Sequence, residues 1–216
     1  MKVQLNRAHF PVTVLGHGRR IGLWFQGCSV GCPGCIALDT WEPDPLKAIS
    51  VGDVVDWCSG LPADGVDGVT ISGGEPFDQP QALLELLSRL HDWRAGLDRE
   101  IDLLCYSGRA LAVLQARHQA ILDLLDVVIP GAFVAARSPG AVWRGSANQS
   151  LVPLTELGHR RYEADIGRPA ERTRLQVTVD GGTVRYIGVP KPGDFAALEA
   201  ALARRGLSHE EASWRS

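Results

Sequence analysis

Three cysteines stand close together in Cys28-Ser29-Val30-Gly31-Cys32-Pro33-Gly34-Cys35, at the spacing C-x3-C-x2-C. Three thiolates on one tight loop cannot close a four-cysteine zinc site unaided. They can hold three irons of a cubane 4Fe-4S cluster and leave the fourth iron open to a further ligand. A zinc site would need His17 or Cys58 as fourth ligand. Zinc pairs usually read C-x2-C with a second pair later, and only Cys32 and Cys35 fit that pattern. A disulfide framework is disfavoured because the cysteine count is five, an odd number, in a chain long enough to build a core. The opening Met1-Lys2-Val3-Gln4 lacks a signal-peptide core, so a reducing, cytoplasmic setting is expected.

Other stretches offer ligand chemistry. Gly73-Gly74-Glu75-Pro76 follows a strand and precedes a helix. Two glycines let a backbone approach a ligand closely, and the Glu75 carboxylate can accept hydrogen bonds from an ammonium group. Tyr106-Ser107-Gly108 ends another strand. Trp143-Arg144-Gly145-Ser146-Ala147-Asn148-Gln149 packs an aromatic ring, a cation and polar side chains into seven residues. It reads either as a surface turn or as a source of donors for an anionic or ribose-like group. Gly16-His17-Gly18-Arg19-Arg20 reads as a turn with two basic residues.

The elements that must position these groups alternate. Ile21–Phe25 reads as a buried strand running into the cysteine loop, and Pro43 and Pro45 close the loop. Ser50 opens a helix with Asp53 in its first turn, ending at Ser59-Gly60. Gly68–Ile71 is a second strand. Pro80–Trp93 is the clearest helix, with Leu83, Leu86, Leu87 and Leu90 on one stripe. Ile101–Tyr106 is a third strand, 109–125 a helix and Val127–Ile129 a fourth strand stopped by Pro130. The segment 132–171 has weak periodicity and should be functional or mobile. Leu175–Val179 and Thr183–Ile187 flank Asp180-Gly181-Gly182, a hairpin signal. Pro192-Gly193-Asp194 caps a last helix with Phe195, Leu198 and Leu202 inward, ended by Gly206. Strand and helix alternation predicts an α/β fold with a parallel sheet and its motifs on one rim.

The bulk numbers exclude some classes. The chain has 216 residues, a length that fits one domain, 1–216. It has no apolar run long enough to span a membrane. Its net charge of −3 gives no global pull toward nucleic acid or anionic lipid.

The cysteine triad followed by Gly73-Gly74-Glu75-Pro76 resembles the radical S-adenosylmethionine (SAM) superfamily. The likeness extends in order through Trp24-Phe25-Gln26-Gly27-Cys28, Cys32-Pro33-Gly34-Cys35, Asp39-Thr40-Trp41, Gly73–Phe77, Tyr106-Ser107-Gly108, Arg144–Gln149 and Ile187-Gly188-Val189-Pro190. Over most of residues 9–205 the chain is similar to the activating proteins of anaerobic ribonucleotide reductase and their stand-alone relatives.

The resemblance implies an incomplete (βα)6 barrel with helices outside, one 4Fe-4S cluster and bound SAM. Cys28, Cys32 and Cys35 would ligate iron, and Gly73, Gly74 and Glu75 would hold the methionine amine. Ser107, Ser146 and Asn148 would meet SAM or substrate, with Ser107 a candidate for the SAM carboxylate. No side chain has a catalytic role of its own beyond the cluster and SAM. In the superfamily the reduced cluster splits SAM into methionine and a 5′-deoxyadenosyl radical. The activases then take hydrogen from a glycine of a large partner. A low-potential donor, flavodoxin or ferredoxin, and a glycyl radical enzyme or peptide partner are therefore expected. A peptide, nucleotide or other small molecule is the alternative substrate, and a non-catalytic iron–sulfur or zinc module the alternative role. Three positions depart from the pattern: His17 stands for a proline, Pro130 for an acid that could bind the ribose, and Gly34 for an aromatic.

Overall fold

The computed structural model describes residues 1–172, 174–180 and 183–214. In chain order its elements are β1 (Lys2–Val12), β2 (Arg20–Phe25), β3 (Ala48–Ser50), α1 (Val51–Ser59), β4 (Gly68–Gly73), α2 (Pro80–Ala95) and β5 (Asp102–Ser107). There follow α3 (Leu111–Arg117), α4 (Gln119–Leu122), β6 (Val127–Pro130), β7 (Val152–Pro153), α5 (Glu156–Tyr162), β8 (Leu175–Asp180), β9 (Thr183–Gly188) and α6 (Asp194–Ala203).

Seven strands form one sheet in the order β3-β1-β2-β4-β5-β6-β7, and β8 and β9 form a separate hairpin. β2, β4, β5 and β6 run parallel. β1 pairs antiparallel with β2, β3 with β1, and β7 with β6. The expected parallel sheet is thus a mixed α/β sheet with four parallel strands and two edges, short of the six strands of the expected barrel. The cause lies in the connections. The turn through Gly16 and Gly18 is too short for a crossover and returns β2 antiparallel to β1. The 131–151 segment is long enough for a crossover but holds no α-helix, and it returns β7 antiparallel to β6.

Where hydrophobic period was strong, elements fall as read. Ser50 caps α1, its hydroxyl accepting from the Asp53 amide at 3.0 Å. Leu83, Leu86, Leu87 and Leu90 of α2 are buried against Val54, Cys58, Ile71 and Leu103. The 109–125 helix is instead two pieces. His118 leaves helical geometry at φ −137°, and its ring packs at 5.3 Å from that of Phe77. The 132–171 stretch holds β7 and α5, and the expected turn at 181–182 lies outside the described residues.

The amino-terminal ends of the parallel strands are clamped by buried charge. Arg20 of β2 meets Asp102 of β5 at 2.6 and 3.0 Å and donates to Thr70 of β4 at 2.6 Å. Arg161 and the Tyr162 hydroxyl of α5 reach the same carboxylate at 2.5 and 3.0 Å. Burial alone would raise the Asp102 pKa. The adjoining guanidinium of Arg20 outweighs it, with Arg161 adding, and holds the carboxyl below its usual 3.8. That end is rigid, and the opposite end, where the strands finish, is left to build the site.

Candidate iron–sulfur site

The register brings the carboxyl ends of the strands side by side: Phe25 opposite Gly73, and Ser107 opposite Pro130. Directly after β2 the chain enters the cysteine loop through a fixed neck. The amides of Gly27 and Cys28 donate to the carbonyls of Thr40 and Trp41, both at 2.8 Å. Gln26, buried, bridges the neck. Its amide donates to the Asp39 and Glu42 carbonyls at 3.1 and 2.6 Å, and its oxygen accepts from Asn6 and Lys47. Beyond the neck, Asp78 accepts from the Ser29 amide and hydroxyl at 2.6 and 2.8 Å and pairs with Arg109. The loop is therefore pinned at both ends by polar groups. Gln26 stood inside a quoted motif, but Asp78 and Arg109 gave no pairwise signal in sequence, since they lie 31 residues apart.

Gly73 and Gly74 dock the second motif onto this loop. Gly73 takes a left-handed φ of 106°, and a Cβ on Gly74 would collide with the Gly27 carbonyl. The Gly74 amide donates to the Phe25 carbonyl and the Glu75 amide to that of Gly27, both at 2.9 Å. The glycines thus have a packing reason as well as the expected ligand-facing one. Only Gly73 of the pair lines the cavity described below.

Glu75 is 1% exposed, and its carboxylate is engaged by its own chain. It accepts from the Phe77 amide at 3.0 Å, the Ser107 hydroxyl at 2.9 Å and the Gly108 amide at 2.7 Å. Burial raises its pKa, and these donors and Arg109 pull it back only in part. Glu75 and Ser107 bind each other and tie the glycine turn to the end of β5.

The three loop cysteines are free and half-buried. The Cys32 thiol is pushed up chiefly by burial, with Cys35 and Cys28 nearby adding to the rise and the backbone amide of Phe133 opposing it. The Ala37 amide donates to the Cys35 sulfur at 3.4 Å. Amide donors aimed at sulfur suit thiolates bound to iron and tune such a cluster. Among the described residues no three His, Cys, Asp or Glu side chains converge on a single metal ion. In a cubane each thiolate serves a different iron, so the donor set fits a cluster better than one ion. The fourth zinc ligands considered from sequence are elsewhere. His17 lies 2.7 Å from Asp165, and Cys58 is fully buried with its thiol pushed up to about 12.

Ser146 and Asn148 hydrogen-bond to the 132–134 backbone. The Ser146 hydroxyl is fully buried and accepts from the Val134 amide at 3.1 Å. Asn148 donates to the Ala132 carbonyl at 2.8 Å, and Gln149 to that of Gly131 at 2.9 Å. Together they hold the 131–134 turn whose Phe133 amide faces Cys32. Asn148 also keeps a buried side-chain oxygen without a partner among the described residues, an acceptor open to a ligand donor. Arg144, read as a possible anion donor, gives its guanidinium to the Val142, Ile166 and Asp165 carbonyls.

A cavity of about 1120 Å³ opens on this rim. Cys35, Ile36, Ser72, Gly73, Tyr106 and Gln149 line one side. The other side comes from β9 and from residues 208–214. Sequence reasoning did not anticipate this wall, because the contacts join segments more than a hundred residues apart. The Leu38 amide donates to the Ser213 carbonyl at 3.3 Å, and Tyr186, Phe195, His209 and Trp214 form one aromatic cluster with Phe195 and Trp214 stacked at 4.2 Å.

Residues 14–152 match the family of the 4Fe-4S single cluster domain. The chain is 30% identical over 146 residues to the anaerobic ribonucleoside-triphosphate reductase-activating protein of Escherichia coli (strain K12), covering 65% of this chain and 93% of that one. It is 32% identical over 159 residues to the protein of the same name from Vibrio cholerae serotype O1, covering 68% and 96%. Among solved structures, QueE from Escherichia coli overlaps with a TM-score of 0.41 at 22% identity, over 50% of this chain and 53% of that one, too slight an overlap to bear on the fold. With the cysteine loop inside the matched segment and relatives matched over nearly their whole length, the chain belongs to the 4Fe-4S single cluster domain family.

Proposed function

We propose that this protein is an activating-type radical SAM oxidoreductase that cleaves SAM reductively at a 4Fe-4S cluster held by Cys28, Cys32 and Cys35. The supporting observation is the pinned cysteine loop lying against the Gly73 turn on the rim of one cavity, with amides directed at two of its sulfurs. When bound and reduced, the cluster would supply the single electron for reductive cleavage of SAM and so the means of hydrogen abstraction from substrate. The chain's own residues bind and orient. Gly73 and Gly74 allow close backbone approach, Glu75 and Ser107 brace that turn or exchange their mutual bond for the methionine amine and carboxylate, and Asn148 offers its open oxygen. Residues 131–134 and the 208–214 segment shield the rim from water. We read 1–216 as one domain, its sheet as an abbreviated (βα)6 barrel, and its setting as a reducing cytoplasm.

Two hydrogen donors are considered. Similarity to reductase-activating proteins favours a glycine of a glycyl radical enzyme, and flavodoxin or ferredoxin is our proposed electron source. The wall formed by β9 and the 208–214 segment favours a small molecule. The test is anaerobic reconstitution followed by SAM and dithionite. About four irons and four sulfides per chain and release of 5′-deoxyadenosine are expected. Stoichiometric zinc without iron, or a cluster that leaves SAM intact, would overturn the reading. A glycyl radical signal in electron paramagnetic resonance after mixing with a candidate partner enzyme selects the first donor.

A further inference from the structure

The cluster cavity has a neighbour. A second cavity, of about 400 Å³, shares Trp143, Gly145, Val189 and Pro190 with it as lining residues. Its charge is one-sided: Arg144, Arg168, Arg172, Arg174 and Lys191 line it, and Glu171 is its one carboxylate among the described lining residues. Three of the five cations are already occupied. Arg144 donates to three carbonyls, Arg168 meets Asp165 at 2.6 Å, and Lys191 donates to the Ala170 carbonyl at 2.7 Å. Arg172 and Arg174 have no side-chain hydrogen bond or ion pair among the described residues. Trp143, between the two cavities, holds a left-handed φ of 59°, unusual for a bulky side chain and fixed by the Tyr106 hydroxyl donating to its carbonyl at 2.9 Å. The Arg168 guanidinium sits 5.9 Å over its ring. Four of the five cations (Arg168 onward) belong to the chain beyond residue 152, where the family match ends.

We propose that this basic cavity binds the oxyanion group, phosphoryl or carboxyl, of the small molecule whose C–H bond is presented in the cluster cavity. Guanidinium forks pair bidentately with either oxyanion, and two of them stand uncommitted in a cavity of ligand size. The anion's place on a substrate rests on the small-molecule donor proposed above; the anion site itself does not. The test is equilibrium dialysis of the purified full-length protein with inorganic phosphate, pyrophosphate and citrate at one fixed ionic strength. Saturable binding of at least one anion is expected, falling tenfold or more in the Arg172→Ala/Arg174→Ala double variant. That variant should keep its iron content, its circular dichroism and its substrate-free cleavage of SAM. Preference for pyrophosphate over citrate, or the reverse, separates phosphoryl from carboxyl. No saturable binding of any of the three, or equal binding by the double variant, overturns the proposal. Anion binding without any SAM cleavage instead overturns the cluster reading and leaves the anion site standing.

Discussion

At the scale of the residue, the five cysteines divide by surroundings. Cys28, Cys32 and Cys35 are half-buried on one loop, whereas Cys58 and Cys105 are fully buried in the core and their thiols are pushed up by desolvation. Replacing any loop cysteine by alanine should abolish the reconstituted cluster's visible absorbance and iron. Cys58→Ala and Cys105→Ala should retain both and lose only packing. Iron retained at full stoichiometry in Cys32→Ala would remove that residue from the ligand set. Glu75 carries a second prediction. In Glu75→Ala the Phe77 and Gly108 amides and the Ser107 hydroxyl lose their acceptor in a buried site. Each orphaned donor costs about 1–3 kcal/mol, so urea denaturation of the cluster-free protein should show a clear loss of stability. SAM affinity should fall as well, because the Gly73 turn loses its brace. A purely cofactor-facing role would leave the stability of the cluster-free protein unchanged, so the two readings separate. The close backbone approach at the glycine pair was legible in its residue types. The internal partners of Glu75 were not, because Ser107 and Gly108 are more than thirty residues away.

At the scale of the element, the four parallel strands are held differently at their two ends. The site end is bound by neutral hydrogen bonds through Gln26 and by the Asp78–Arg109 pair. The far end is bound by the Arg20–Asp102–Arg161 cluster, which is inaccessible to solvent at Arg20 and Asp102. Asp102 has its folded pKa below the unfolded 3.8, so its contribution is present above that value and is lost as pH falls through the folded one. Unfolding followed by circular dichroism should therefore show an acid limb beginning near pH 4 that is absent in Asp102→Asn. The variant itself, leaving buried guanidinium charge unpaired, should be destabilised by about 3–5 kcal/mol at neutral pH. An unchanged acid limb in the variant would dismiss Asp102 as its source. These elements also mark what sequence pattern conveys. Strong period gave α2 and the parallel strands nearly to the residue. β1 gave no strand signal in sequence, because its residues alternate weakly and it is mostly half-buried. The antiparallel edges β1, β3 and β7 depend on connection geometry that hydrophobic period does not encode.

At the scale of the whole molecule, the chain is a front part matched over 14–152 and a shorter back part that returns to the same rim. The hairpin anchors on β1, where Gln176 bonds the Thr13 amide at 3.0 Å and the Pro11 carbonyl at 2.6 Å, and Ile187 packs with Val12, Leu15 and Trp24. The terminal segment then crosses to the cysteine loop. Ser213 accepts from the Leu38 amide, and its hydroxyl donates to the Ile36 carbonyl at 3.5 Å, next to Cys35. Its hold comes from aromatic area, since Trp214 stacks on Phe195 and the Tyr186 hydroxyl meets His209 at 2.8 Å. Removing residues 208–216 should thus leave the hairpin seated and the cluster formed, but take away one wall beside Cys35. The loss is read by timing iron release to a strong chelator from the reconstituted protein under nitrogen. Truncation should speed release several-fold and raise the rate at which air bleaches the cluster, while the iron initially loaded stays the same. Trp214→Ala should do the same to a lesser degree, because the stack with Phe195 is lost and the backbone tie at Ser213 remains. Equal release rates in all three proteins would mean that the segment rests on the rim without guarding it, and that access to the cluster is set by the 131–149 turn alone.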